Sequence, residues 1–357
     1  MSAAAETRRE AAPRVEARGV DLRWGLAAAA FLLGSLLVGL AVGPFGIGAG
    51  SIVESSLSWL PLVHVHSPLD AREHAVLWQI RAPRVALAGL VGGMLSIAGA
   101  SYQGVFRNPL CDPYLLGVAG GAGLGATLAI VYGVASSGGH GVVPVAAFAG
   151  AIAAVALTYA LGRSAGPART TGALVLAGVT VATFTAAVQT FVQQRHTDVL
   201  QNVYSWLLGG FSTSTWSDVA VAAPYIAVSS AVLVAHRRVL DVLSLGDDEA
   251  ASLGVNVART RLAIVIAATL GTAAAVAVSG LIAFVGIIVP HTVRLLVSTS
   301  YRAVLPLSLV VGAGFLVLTD VLARTVLSPA ELPIGVVTAF LGAPFFAVVL
   351  RAGRSLR

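Results

Sequence analysis

The sequence predicts an all-α polytopic membrane protein of about ten transmembrane helices, and three observations carry that expectation. The chain has 357 residues, of which 57% are hydrophobic and 11% charged, with a mean hydropathy of +0.88. A water-soluble protein carries roughly a quarter charged residues. Ten apolar runs approach the ~20 residues that a helix needs to cross a hydrocarbon core. All 22 basic residues are arginines, and they divide unevenly between alternate loops.

The runs lie near 24–44, 85–106, 114–133, 142–161, 172–192, 218–236, 262–281, 282–297, 303–321 and 334–350. Residues 1–23 form a polar Ala-, Arg- and Glu-rich tail, expected to be disordered, ahead of a membrane domain over 24–353. The first run lacks a small-residue cleavage site and reads as a span rather than a removable signal. Residues 45–80, with Trp59, His64, His66 and Trp78, are expected to lie along the membrane interface. Residues 193–217 contain a short amphipathic piece around Val199–Leu208. Only Ser279-Gly280 divides the seventh run from the eighth, so that boundary is the loosest.

Counting loops alternately from a cytoplasmic N-terminus puts 17 arginines inside and five outside. The five are Arg72, Arg81, Arg84, Arg195 and Arg324. Cytoplasmic loops collect Arg and Lys, so both termini and the central loop are placed in the cytoplasm. That central loop, 237–261, is the longest charged stretch between the two apolar halves. Gly246, Asp247, Asp248 and Glu249 read as a helix start, because acidic side chains suit the positive end of the helix dipole. Ala250 to Leu253 continue it, and Gly254 reads as its stop. Two turns of helix do not hold alone in water, so this helix must pack on the chain or on a partner.

An internal repeat is visible. SIAGASYQGVFRNP (96–109) and AVSGLIAFVGIIVP (277–290) share a Gly and a Pro at an offset of 181 residues. Five spans separate the copies, which would make them inverted, a known way to build a transport path between two halves.

Several chemistries are excluded. A phosphate-binding loop needs a Lys, and the chain has none. One cysteine, Cys111, forms no internal disulfide and no thiolate cluster. Neither a His-Glu-x-x-His helix nor a Gly-x-Ser-x-Gly elbow is present, so no catalytic residues, cofactor or metal are expected. No basic patch with interleaved aromatics points to nucleic acid. His64 and His66 alternate as on a strand, but two ligands do not make a metal site. Asp320 is the clearest acidic residue inside a span, with Arg324 one turn on as its natural partner. Ion-driven carriers keep ionisable groups at membrane depth; their scarcity points to an outside energy source, with an ion-driven carrier as the rival reading.

The segments 81–126, LVLAGVT (174–180), WLLGGFSTSTW (206–216), LSLGDDEAASLGV (243–255), SGLIAFVGIIVPHTVRLL (279–296) and 319–346 together resemble the FecCD-type permease subunits of ABC importers for iron–siderophores, haem and vitamin B12. The resemblance runs from about Arg81 to Gly353. It implies the type II importer fold with ten helices, a dimer with an identical or paralogous permease, two cytoplasmic ATPase subunits and an extracytoplasmic substrate-binding protein. It places such a chain in the bacterial inner membrane, with iron(III)–siderophore as the leading cargo and cobalamin or haem as alternatives. The family's ATPase-coupling helix falls on Gly246, Asp247, Asp248, Glu249, Ala250, Leu253 and Gly254. Its outward-facing docking arginines fall on Arg81, Arg84 and Arg324, where interfacial anchoring is the plainer reading. Its cytoplasmic gate falls on Asn108 and Leu110 and on Thr171 and Gly172, although Asn108-Pro109 reads also as a simple turn. Gln189, with Gln193 and Gln194, could line the path or glue helices together. His291 reads as structural.

Overall fold

A computed structural model describes residues 19–43, 46–58, 69–133, 141–164 and 171–354. Among these residues the ordered elements are helices. In chain order they are α1 (Leu22–Ala41), α2 (Ala49–Leu57), α3 (Ala71–Ala75), α4 (Ala82–Phe106), α5 (Val118–Val131), α6 (Val142–Ser164), α7 (Thr171–Arg195), α8 (Leu200–Leu207), α9 (Trp216–Ala235), α10 (Arg237–Leu243), α11 (Asp247–Ser252), α12 (Val257–Ser279), α13 (Val285–Leu296), α14 (Tyr301–Thr325) and α15 (Ile334–Arg354). Seven are long and apolar enough to cross a membrane, and Val118–Val131, Val285–Leu296 and Ile334–Val349 are shorter apolar helices. These ten occupy the ten apolar runs, five to each half.

α4 is the axis of the bundle. In its span 89% of residues are buried, against 17% for α1, whose outer surface is left to lipid. A helix apolar all round belongs in such a central place. It packs on α9, α12, α13 and α14. Without a hydrophobic force between helices in lipid, close packing of small residues holds them. Two crossings show this. A Cβ on Gly92 would meet the carbonyl of Gly312 on α14, and a Cβ on Gly99 would meet the carbonyl of Gly286 on α13.

The α12–α13 boundary is a true break. Gly280 takes a left-handed φ of 69°, and Phe284 caps α13 with the same φ. Backbone exposed by a break at membrane depth needs internal partners. Tyr114 supplies them: its hydroxyl donates to the Ile282 carbonyl (2.9 Å) and accepts from the Ile282 N–H (3.0 Å). Gly210 N–H donates to the Ser279 carbonyl (2.9 Å).

Three expectations change. Residues 71–81 do not lie flat on the interface: α3 and a π-helical turn, Val76–Arg81, run straight into α4. Trp78 sits on that extension, where its carbonyl accepts from Trp216 Nε1 (2.8 Å) and its own indole donates to Ser55 (3.2 Å). Trp59, His64 and His66 lie outside the described residues, as does the tail over 1–18. The central loop is shorter than 237–261, because α10 carries its first residues and α12 already begins at Val257. Finally, the 181-residue alignment pairs unlike elements. Gly99 is mid-helix, whereas Gly280 is at a break. The halves do correspond, but through their long helix, break and short helix: α4, Arg107, Gly117 and α5 match α12, Gly280, Phe284 and α13, each break holding two left-handed residues.

Candidate functional site

Two ionic clusters lie at opposite ends of α4, which spans about 37 Å at 1.5 Å per residue over its 25 residues. The first gathers the arginines expected to face outward. Arg84 donates through Nε to both oxygens of Asp320 (3.0 and 2.9 Å) and through Nη2 to Asp320 Oδ1 (2.8 Å). Its Nη1 and Nη2 also reach the two oxygens of Glu331 (2.9 and 3.0 Å). Arg324 Nε lies 3.6 Å from Asp320 and its Nη2 donates to the Gly39 carbonyl. Arg81 donates to the carbonyls of Leu40 and Ala41 (2.8 and 3.0 Å).

Arg81, Arg84 and Arg324 are therefore buried, at 4%, 7% and 4% exposure, and their forks point into the protein. The sequence expected these forks to face outward; within this chain they bond to its own carbonyls and carboxylates. The physical reason is chain chemistry. The last carbonyls of α1 have no helical partner, and Arg81 and Arg324 cap them. Asp320, 1% exposed, needs a cation in hydrocarbon, and Arg84 provides a bidentate one. The expected Asp320–Arg324 pair is present but is the weaker contact. Glu331, three residues before α15, was not singled out from sequence; its side chain remains 39% exposed.

The second cluster surrounds the short charged helix. α11 starts after Gly246 and ends before Gly254, both at positive φ (149° and 82°), close to the expected limits. Ala250 is fully buried, while Asp248 and Glu249 are exposed. Leu245 and Leu253 are 54% and 65% exposed, so a helix of polar sequence carries an apolar knob at either end. Asp247 turns back to the bundle: it accepts from Arg261 Nη2 (3.0 and 3.1 Å) and lies 3.2 Å from Arg107 Nη2.

Asp241, on α10, is a residue that sequence reasoning passed over. It is 9% exposed and accepts from the Tyr301 N–H (2.6 Å) and the Ser300 hydroxyl (2.8 Å), capping α14. Arg302 lies 3.4 Å from it. The signal was an acidic residue within a basic, apolar stretch. Between them Asp241 and Asp247 fasten the central segment to α4, α12 and α14.

Asn108 and Leu110 form the turn after α4, in which Leu110 N–H donates to Asn108 Oδ1 (2.9 Å) and Leu110 is 61% exposed. Nearby, Gln103 Nε2 donates to the Gly286 carbonyl (3.0 Å), and Arg294 donates to Gln103 Oε1. Thr171 and Gly172 begin α7, with Gly172 exposed. Gln189 is half-buried beside Gly123 of α5; Gln193 is buried and Gln194 exposed. His291 stacks edge-on to Phe345 at 5.8 Å, a packing contact. An apolar cavity of about 650 Å³ opens between the end of α8, residues 281–283 and α15, lined by Leu207, Leu281, Val336 and Phe340. Among the described residues no group of three or more His, Cys, Asp or Glu could hold a metal.

The family model described as the FecCD transport family matches residues 31–352. The cobalamin import system permease protein BtuC of Halobacterium salinarum is 38% identical over 366 residues, covering 94% of this chain and 98% of that protein. The hemin transport system permease protein HmuU of Yersinia pestis is 36% identical over 334 residues, covering 91% and 97%. A solved structure described as an inward-facing conformation of a metal-chelate type ABC transporter superposes with a TM-score of 0.81 at 29% identity, over 93% of this chain and all of that one.

Proposed function

This chain belongs to the FecCD transport family, and on that premise we propose that it is the permease for an iron(III)–siderophore chelate delivered by an extracytoplasmic binding protein. Membership makes it a membrane permease of an ABC importer, with ATP hydrolysis on a separate subunit. The observation that carries the rest of the reading is the exposed face of α11. Leu245, Asp248, Glu249 and Leu253 present two apolar and two acidic side chains on six helical residues and their flanks. That surface fits a groove on a partner, and it supports Gly246 to Gly254 as the contact to a cytoplasmic ATPase. On this reading both termini lie in the cytoplasm and the arginine cluster lies on the outer face of a bacterial inner membrane, as the positive-inside count of arginines supports.

A second permease, identical or paralogous, completes the path, with the α8–α15 cavity on the shared side. Asn108, Leu110, Thr171 and Gly172 close the path at the cytoplasmic end, and Gln189 lies along it. At the outer end Arg81, Arg84 and Arg324 serve docking indirectly. They hold α1, α4 and α14 in register, and three guanidinium groups against two carboxylates leave a positive field for the carboxylates of a binding protein.

The test is uptake by vesicles containing the permease, its ATPase and the loaded binding protein. Labelled iron–siderophore accumulates only with all components and ATP. Accumulation by the permease alone would overturn the reading. Preference for cobalamin or haem over siderophore in the same assay would move the cargo to those relatives' substrates.

A further inference from the structure

We propose that Asp247 is a positioning residue that carries the movement of α11 into the gate turn at 107–110 and into α12. The proposal rests on the reading of α11 as the ATPase contact.

α4 ends with Asn108 N–H donating to the Gln103 carbonyl (3.1 Å) and Arg107 N–H to the Gly104 carbonyl (3.4 Å). Arg107 takes the left-handed conformation, with φ 50°. Glycine is the usual residue there, because a Cβ is strained in that region. Among the described residues only Arg107 and Phe284 are non-glycine residues with positive φ. Phe284 has its reason in packing beneath Gly342 of α15. Arg107 is instead 43% exposed at its side chain, and it reaches out to Asp247 at 3.2 Å. A strained arginine kept where glycine would do is accounted for by that contact.

Asp247 is the first residue of α11, and the same carboxylate accepts from Arg261, in the first two turns of α12. One side chain thus joins three elements. The backbone on either side of α11 is the softer route, since Gly246 and Gly254 both take positive φ and glycine adapts most readily to rotation. Ala250 packs α11 on the core, and the Asp247 carboxylate is the contact by which displacement of α11 reaches Arg107. It moves Arg107, and with it the Asn108–Leu110 turn, which its own side-chain hydrogen bond keeps rigid.

The full complex in proteoliposomes tests this, with uptake and ATP hydrolysis read on the same sample. Arg107→Gly keeps the turn and relieves its strain. Its thermal midpoint is expected to equal or exceed that of the wild type, while cargo moved per ATP falls roughly two- to fivefold, the range a half-exposed ion pair sustains. Asp247→Asn lowers the same ratio at least as far, and Asp247→Glu restores part of it. The double variant is no worse than Asp247→Asn alone, because both changes cut one link. An unchanged ratio in Arg107→Gly, or effects that multiply in the double variant, overturns the proposal. If Arg107→Gly does not fold, Asp247→Asn against Asp247→Glu makes the same comparison, and equal ratios in the two overturn it.

A cross-link separates this from failure of the coupling reading. Ser252→Cys on α11 is expected to join to the ATPase. Cys111, the chain's single cysteine, stays silent, being buried at 2% with its thiol pushed up to about 11 by burial and by the Asp112 carboxyl beside it. No cross-link removes the coupling reading and this proposal with it. A cross-link with an unchanged uptake-to-hydrolysis ratio removes this proposal alone.

Discussion

Arg84 shows how a single side chain can be recognised and still be misread. Its position at the head of α4 was plain from RAPR, yet its direction was not, because Glu331 lies 247 residues away. The fork is taken up by Asp320 and Glu331 rather than left to a partner. Removing one member of a buried ion pair leaves the other charged and unpartnered, which costs about 3–5 kcal/mol. Arg84→Gln is therefore expected to unfold at a markedly lower temperature in detergent, and Asp320→Asn likewise, while Glu331→Gln, at the exposed edge, shifts the midpoint far less. Similar midpoints for Arg84→Gln and Glu331→Gln would contradict the division of roles. Asp112 gives a pH test. Burial pushes its carboxyl up to about 6 from an ordinary 3.8, against a hydrogen bond from Tyr114 N–H. The folded state then holds the proton more tightly than the unfolded state. Stability falls as pH rises from about 4 to about 6 and stays lowered above that. Asp112→Asn removes the penalty, so the variant is expected to exceed the wild type at pH 7.5 by more than at pH 4, read from thermal midpoints at the two pH values.

Elements were far more legible than side chains, for a physical reason. Length and apolarity are local properties, and a span declares both, so ten runs became ten helices. α11 was legible too, since Gly246 and Gly254 bracket it and its acidic first turn suits the dipole. What failed were registers that tertiary contact decides. The extension of α4 back to Ala71 is polar enough to pass for a loop, with Arg72, Glu73 and His74 on it, yet an Asp70–Glu73 capping box starts it (Asp70 N–H to Glu73, 3.0 Å; Glu73 N–H to Asp70, 2.6 Å). The repeat was sensed through the wrong glycine, because Gly99 serves a helix crossing and Gly280 a chain break. That difference is testable. At Gly99 an added methyl would press on the backbone of Gly286, and backbone cannot step aside as a side chain can. Gly99→Ala is expected to separate α4 from α13 at a cost of about 1–3 kcal/mol, with reduced yield and midpoint. Gly34, whose Cβ would meet nothing within 4 Å, tolerates alanine in the same assay.

At the scale of the whole molecule, the distribution of charge decides what can power transport. A carrier driven by protons or sodium needs a group at membrane depth that takes up and releases the ion as the path opens to each side. In the described spans the acidic residues are Glu73, on the exposed extension ahead of α4, Asp218, which stands in the first turn of α9, and Asp320. Asp320 is 1% exposed and holds Arg84 at 2.8 Å, with Arg324 beside it. A carboxylate held by two guanidinium groups and shut away from solvent is an anchor of the bundle, not a site open to an ion from either side. The two ionic clusters lie at the two ends of α4, one fixing α1 and α14, the other fixing α11. Such an arrangement suits a bundle moved from its end. Collapsing both the proton gradient and the membrane potential with ionophores is therefore expected to leave uptake by the complete complex within about twofold, whereas withdrawing ATP abolishes it. Uptake that survives ATP depletion and fails with the ionophore would mean that an ion passes through this chain by a route that Asp320, as it is held here, cannot provide.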